Sequence, residues 1–293
     1  MRGSAPSVLL AAGGTGGHLF PAQALAEELA RRTVPVDLVT DMRGDRYGTG
    51  FPAREVYRLP AATLAGRSPL AMAKTAYLLA RGFAAAMRLM GKVKPSTVIG
   101  FGGYPTFAPL KAAGMRGIPT AVHEQNAVLG RANRMLAKSM TRIATSFETT
   151  KFLGPELQGK VVLTGNPVRA VVGEAARMPC SAPQPGGRIK LVVFGGSQGA
   201  RYFSEAVPPA LAQLPPELRG RLQVVQQARP EDVEAVTAGY AADGITAEVA
   251  AFFRDLPQRL ADAHLVIARA GASTVAELTV IGRPSILVPL PHA

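Results

Sequence analysis

The stretch VLLAAGGTGGHLFPAQALAEELARR, residues 8–32, passes from an apolar run through four glycines and one histidine into a segment with amphipathic helical spacing. Strand, glycine turn and helix in that order form the opening unit of a parallel α/β sheet. Glycines at the turn admit positive φ and let an anion approach the main chain, where the N–H groups of a helix start attract phosphate. His18 follows them in the expected first helical turn. There the positive end of the helix dipole disfavours imidazolium and keeps a neutral ring available as a base or hydrogen-bond partner. The plainer reading is a side chain that contacts a phosphate or fills a gap, and the sequence leaves both open.

The same alternation runs outward from this unit. Strand-like VPVDLVT (34–40), a helical pattern over 70–90, STVIGFGG (96–103), a helix over 106–115, IPTAVHE (118–124) and a helix over 129–138 follow, and RIATS and KVVLTGNPV close the half. GEAARMPCSAPQPGGR (173–188) reads as a linker or surface loop. Then IKLVVFGGSQGARYFSEAVPPAL (189–211) repeats strand, glycine turn and helix, and four more strand patterns alternate with helices expected over 230–241, 256–261 and 274–281. The expected fold class is therefore α/β with two doubly wound, Rossmann-like domains, divided as residues 1–168 and 169–293.

Neither glycine loop ends in Gly-Lys-Ser/Thr, which excludes a Walker A loop. A dinucleotide site is the competing reading, because Asp41 ends the second strand about 20 residues beyond the glycines, where an acid holds an NAD ribose. Against it, the Gly-x-Gly-x-x-Gly spacing is absent: Gly14-Thr15-Gly16-Gly17 is followed by His18 and Leu19. In RAGASTVAE (269–277), Thr274 and Glu277 stand at capping-box spacing, a sufficient structural reason for both. The functional alternative has the same helix start receive a diphosphate while Glu277 accepts from a ribose diol.

The formal net charge of +13 points to an anionic partner. Nucleic acid is disfavoured by the lack of tryptophan, by 6% aromatic content, and by the absence of a helix-turn-helix, zinc-finger or RNP pattern. Cys180 is the single cysteine, the four histidines are scattered, and no Asp-x-Asp pair occurs, so no disulfide, metal site or bound cofactor is expected. No apolar run reads as a signal peptide or membrane span. Between Val56 and His123 there is no acidic residue, yet Arg67, Lys74, Arg81 and Arg88 recur every seven positions. At ~20° of drift per step they line one helix face. Leu70, Tyr77, Leu78 and Leu89 are expected to border this stripe, and Met72, Leu79, Phe83, Met87 and Met90 to face the core. The stripe is expected to dock on anionic lipid.

The ordered segments GGTGGHLFPA, GGYPTFAP, HEQNAVLGRANR, TGNPVR, GGSQGA and RAGASTVAELTVIGRPSILVPLP together resemble the MurG family of bacterial UDP-N-acetylglucosamine transferases over essentially the whole chain. The resemblance implies the GT-B fold, inversion at the anomeric carbon and no metal for nucleotide-sugar binding. The first domain would bind the acceptor, undecaprenyl-diphospho-MurNAc-pentapeptide, and the membrane; the second would bind UDP-GlcNAc. By that likeness Thr15, Gly16 and Gly17 contact the donor-sugar side and Asn126 meets the GlcNAc. Arg169 and Ser197 match donor contacts, Phe253 matches the position whose backbone reads uracil, and Ala272, Ser273, Thr274, Val275, Ala276 and Glu277 match the loop and helix that hold sugar, diphosphate and ribose. His18 would lie toward the acceptor as the candidate base, and the enzyme would work at the cytoplasmic face of the inner membrane as a peripheral protein. Family members continue past the strand that precedes Ala293. The second domain is thus expected to be truncated and its last strand to expose apolar surface, which keeps a non-catalytic membrane-docking fragment among the alternatives, beside an NAD-dependent oxidoreductase.

Overall fold

The structure, a computed structural model, describes residues 6–41, 50–60 and 69–290, without the side chains of 69–71, 73, 74 and 197–200. The chain divides into two compact units, Met1–Arg169 and Ala170–Ala293. The first contains β1 (Val8–Ala11), α1 (Gly16–Arg31), β2 (Val36–Thr40), β3 (Glu55–Arg58), α2 (Pro69–Val93), β4 (Thr97–Gly100), α3 (Phe107–Met115), β5 (Thr120–Glu124), α4 (Arg131–Ala137), β6 (Arg142–Thr145) and β7 (Val161–Leu163).

Its seven strands are all parallel in the order β3-β2-β1-β4-β5-β6-β7. Central strands must be apolar on both faces, because helices cover both. In β1, Leu9 and Ala11 join one core with Leu89 and Met90 of α2, Leu110 of α3 and Leu136 of α4. Val8 and Leu10 join the other with Leu19, Ala22 and Ala26 of α1. The strand order reverses between β1 and β4, so the loops after these two strands meet at a crevice where parallel sheets bind ligands.

The stripe helix departs from its expected facing. Phe83, Met87 and Met90 do turn toward the core. Met72 and Leu79, expected inside, are exposed together with Tyr77, while Leu89, expected at the border, is buried. Packing explains the difference: the carboxyl half of α2 lies on the sheet and α3, and the earlier turns extend past that cover. The close approach is marked by Gly82, where a β-carbon would stand 2.5 Å from the carbonyl oxygen of Pro60. Arg81 and Arg88 are exposed, whereas Arg67 and the side chain of Lys74 lie outside the described residues.

The second unit contains α5 (Ala170–Ala175), β8 (Ile189–Phe194), α6 (Gly196–Ala212), α7 (Pro216–Arg219), β9 (Leu222–Gln227), α8 (Val233–Ala242), β10 (Thr246–Ala250), α9 (Leu256–Asp262), β11 (Leu265–Arg269), α10 (Ala272–Ile281) and β12 (Ser285–Val288). The order β10-β9-β8-β11-β12 is again parallel, with its reversal between β8 and β11. Leu191, Val193, Phe203, Val207, Val224 and Tyr240 build its core. The Tyr240 hydroxyl donates to Oε1 of Gln226, and burial pushes the phenol far above its ordinary range. Arg283 is buried and donates to the carbonyls of Ala261, Ile281 and Met178, tying the ends of α9 and α10 to the segment after α5. The start of the expected linker is helical, since Gly173–Ala175 belong to α5. On the edge strand β12, Ile286 and Leu287 are exposed, as is Leu290 beyond it.

Candidate functional site

In the first unit, the crevice is built from the loops after β1, β4 and β5. Thr15 takes the N-cap position of α1 in an extended conformation, and its side chain makes no capping hydrogen bond. His18 therefore falls in the first turn, its ring lying against main chain. A β-carbon at Gly13 would stand 3.3 Å from its Cδ2, and one at Gly102 would stand 2.9 Å from its Cε1. Gly102 has φ of 94° and Gly103 of 80°, conformations that a side chain resists. The glycines thus do more than turn the chain: they make room for an imidazole against the backbone. Gly17 is exposed, with open space around its α-carbon, while Gly16 packs on Phe20.

Nδ1 of His18 lies 3.3 Å from Oε1 of Gln125. The amide nitrogen of Gln125 lies 3.0 Å from both Nδ1 and the carbonyl oxygen of His123. Nε2 of His123 donates to the carbonyl of Gly165 across 3.0 Å. Burial holds the His123 ring below the usual histidine pKa, against the smaller opposing pulls of the Gly165 carbonyl and the Glu124 charge. The neighbouring carboxylate of Glu124 is buried and accepts from Asn126, from the N–H of Gly130 and from Nδ2 of Asn133. It rigidifies the loop that carries Asn126, an exposed residue whose Nδ2 also bonds to Glu124.

Arg169 places its guanidinium 4.0 Å from the ring centroid of Phe20, a cation–π contact that fastens the TGNPVR segment to α1. Three segments of the first unit, those after β1, β5 and β7, carry Thr15, Gly16, Gly17, His18, Asn126 and Arg169. Sequence reasoning missed His123 and Gln125 as part of this site. Their signal was present: polar residues in succession at the carboxyl end of a strand buried on both faces need a use there.

The second unit has an equivalent corner where β8 and β11 pair. Gly195 precedes α6, and Gly196 opens it with φ of 65°. Ser197 belongs to the first turn of this helix, and its side chain lies outside the described residues. The capping box expected at Thr274 and Glu277 does not form. Gly271 is the N-cap, and no side chain caps the helix. Ala272, Ser273 and Thr274 make the first turn, Val275 and Ala276 follow, and Glu277 is buried in the second turn. The extended conformation of Gly271 set the helix start three residues earlier than the Thr-x-x-Glu spacing requires. Phe253 is buried under the guanidinium of Arg259, which Glu248 and Asp255 hold in place. Arg269 ends β11 with its guanidinium over Tyr202 and Phe203 and its Nη1 on the carbonyl of Pro289.

Comparison with known proteins agrees with a division into two units. Residues 8–145 match the glycosyltransferase family 28 N-terminal domain, and residues 190–293 match the family 28 C-terminal domain. The UDP-N-acetylglucosamine--N-acetylmuramyl-(pentapeptide) pyrophosphoryl-undecaprenol N-acetylglucosamine transferase of Sinorhizobium fredii is 56% identical over 290 residues, 98% of this chain and 76% of the relative. The protein of that name from Methylobacterium sp. is 56% identical over 98% of this chain and 77% of its own length. Among solved structures, MurG of Acinetobacter baumannii is similar with a TM-score of 0.70 at 29% identity, covering 98% of this chain and 79% of that one.

Proposed function

The chain belongs to glycosyltransferase family 28, and from that premise we infer that it moves N-acetylglucosamine from UDP-N-acetylglucosamine to undecaprenyl-diphospho-MurNAc-pentapeptide. It is a UDP-GlcNAc-dependent transferase of cell-wall synthesis with two Rossmann-like units of the GT-B class. The family assignment leaves no support for the oxidoreductase reading, which rested on Asp41 and one glycine turn.

The observation that carries the mechanism is the seat of His18: a first-turn imidazole walled by glycine backbone at the reversal point of the first sheet. In the proposed step the muramyl 4-hydroxyl attacks the anomeric carbon of GlcNAc. The new C1–O4 bond forms as the bond from C1 to the β-phosphate oxygen breaks, the hydroxyl proton passes to Nε2 of His18, and UDP departs with inversion. Thr15, Gly16, Gly17 and Asn126 line the acceptor and sugar side, and Arg169 offers a charge-assisted grip on phosphate. In the second unit, Ser197 and the starts of α6 and α10, with Ala272, Ser273, Thr274, Val275, Ala276 and Glu277, form the donor corner. Helix N-termini there stabilise charge growing on the leaving diphosphate. Phe253 offers its backbone to the base.

The first unit is the one assigned to the acceptor and to the membrane. Exposed Tyr77 beside exposed Arg81 and Arg88 supports docking on an anionic bilayer, and Met72 and Leu79, exposed on the other side of α2, add apolar surface. No helix among the described residues is long and apolar enough to cross a membrane. The proposed location is peripheral, at the cytoplasmic face of the inner membrane.

Transfer of radiolabelled GlcNAc to a lipid I analogue tests the activity, with calorimetric titration of UDP-GlcNAc alongside. His18→Ala is expected to depress turnover far more than donor binding; unchanged turnover removes His18 from the role of base. Saturable NADH binding without UDP binding would overturn the transferase reading altogether.

A further inference from the structure

The hydrogen bonds around His18 form a chain whose donor and acceptor senses are fixed from its far end. A backbone carbonyl can only accept. The contact with the Gly165 carbonyl therefore requires a proton on Nε2 of His123, and in the neutral ring Nδ1 is then an acceptor. The amide nitrogen of Gln125 satisfies that acceptor and the His123 carbonyl together. A flipped Gln125 amide would point its oxygen at two acceptors, so the amide has one orientation and its Oε1 faces His18. Oε1 also only accepts, and the proton on His18 must then sit on Nδ1.

We propose that Gln125, oriented by His123 and the Gly165 carbonyl, is a positioning residue that holds His18 as the Nδ1–H tautomer and so makes Nε2 the lone-pair nitrogen. The proposal rests on the reading of His18 as the base and supplies what that reading lacks, a reason for the proton-accepting nitrogen to be Nε2. Free neutral histidine prefers the opposite tautomer, with the proton on Nε2, which would leave that nitrogen without a lone pair. The clamp is also rigid. Gln125 and His123 are both buried, the His123 ring lies 5.4 Å from Phe101 at a tilt of 33°, and the backbone at Gly13 and Gly102 closes on the His18 ring at Cδ2 and at Cε1. A chain of this kind spans three βα connections of the sheet, those after β1, β5 and β7. Local sequence contains nothing equivalent to it.

The tautomer is read directly from imidazole nitrogen shifts in the uniformly nitrogen-15-labelled protein, in mildly alkaline buffer where the rings are neutral, with His18 assigned through His18→Gln. The expected spectrum has His18 protonated at Nδ1 and bare at Nε2. Gln125→Met, close in shape and unable to accept, is expected to move the proton to Nε2 and to lower kcat by about 10²-fold, within the range that general-base catalysis supplies, with little change in KM for UDP-GlcNAc. Gln125→Glu keeps an acceptor facing Nδ1 of His18 but sets its second oxygen against the Nδ1 and carbonyl of His123, so it is expected to keep the His18 tautomer, to loosen the His123 side of the clamp and to retain more of kcat than Gln125→Met. An Nε2–H signal for His18 in the unaltered protein overturns the proposal whether or not any variant folds. A fall in kcat for Gln125→Met with the tautomer unmoved also overturns it, because Gln125 would then be only structural. If the tautomer follows Gln125 but His18→Ala turns over normally, the clamp stands and the assignment of the base falls.

Discussion

The α-carbon of Gly102, at φ of 94°, sits so close to His18 that a β-carbon there would meet Cε1 at 2.9 Å. The imidazole and the turn after β4 are thus two sides of one fit. Gly102→Ala combines a strained backbone with displacement of the ring, and a shift of ~1 Å at a reacting group costs roughly 10²-fold. Steady-state transfer assays should show that loss in kcat, while calorimetric UDP binding to the second unit stays within about twofold, a difference of ~0.4 kcal/mol.

The Arg169–Phe20 stack makes a separate claim about stability. Phe20→Leu retains an apolar side chain but removes the ring face, and Arg169→Lys keeps charge without the planar stack. Each should destabilise the first unit by about 1 kcal/mol in urea titration, and the double variant by less than the sum. Additive effects would show that the contact contributes nothing.

Acid sensitivity follows from His123. Its folded-state pKa lies below the ordinary 6.5, chiefly through burial. Below that value the unfolded chain takes up a proton that the folded ring refuses, so stability rises with pH. This contribution is complete above pH 6.5 and is lost as the pH falls from there toward the folded pKa. Denaturation midpoints of the first unit should decline across that window, and His123→Gln should flatten the decline.

Arg283 anchors the second unit. Its guanidinium is buried against the carbonyls of Ala261, Ile281 and Met178, two of them at helix ends where the dipole favours a cation. Arg283→Met leaves those carbonyls without their donor and should cost about 3 kcal/mol, measured by chemical denaturation. Wild-type stability in this variant would mean that water replaces the guanidinium at no cost.

Docking on lipid is tested by flotation with vesicles rich in phosphatidylglycerol. Reversing Arg81 and Arg88 to Glu removes about 2 kcal/mol of attraction at ~1 kcal/mol per basic residue and adds repulsion. Met72→Ser with Leu79→Ser should weaken recovery even at high salt, because apolar insertion is not screened. Recovery unchanged in both sets would mean that the exposed face is simply solvated.

The architecture was legible because its code is local. Alternating apolar strands, amphipathic helices and glycine corners repeat along the chain, and the glycine loops at Gly13 and Gly195 fall at the two reversal points. What escaped is instructive in physical terms. β3 is a mostly exposed strand, Glu-Val-Tyr-Arg, with no apolar run to announce it. The sequence pattern of α2 has one apolar face, but the sheet and α3 cover only part of its length, so Met72 and Leu79 are left outside. Thr274 and Glu277 match a cap by spacing, yet the cap belongs to whichever residue has the extended backbone, here Gly271.

Sequence alone determined the two α/β halves, their glycine corners and the family, since each depends on residues near one another or on motifs read in order. Only the tertiary structure decided which nitrogen of His18 carries a proton, because the answer passes to Gln125, 107 residues away, and on through His123 to Gly165. Hydrogen-bond direction propagates through space from a carbonyl that cannot donate, and no periodicity along the chain encodes that.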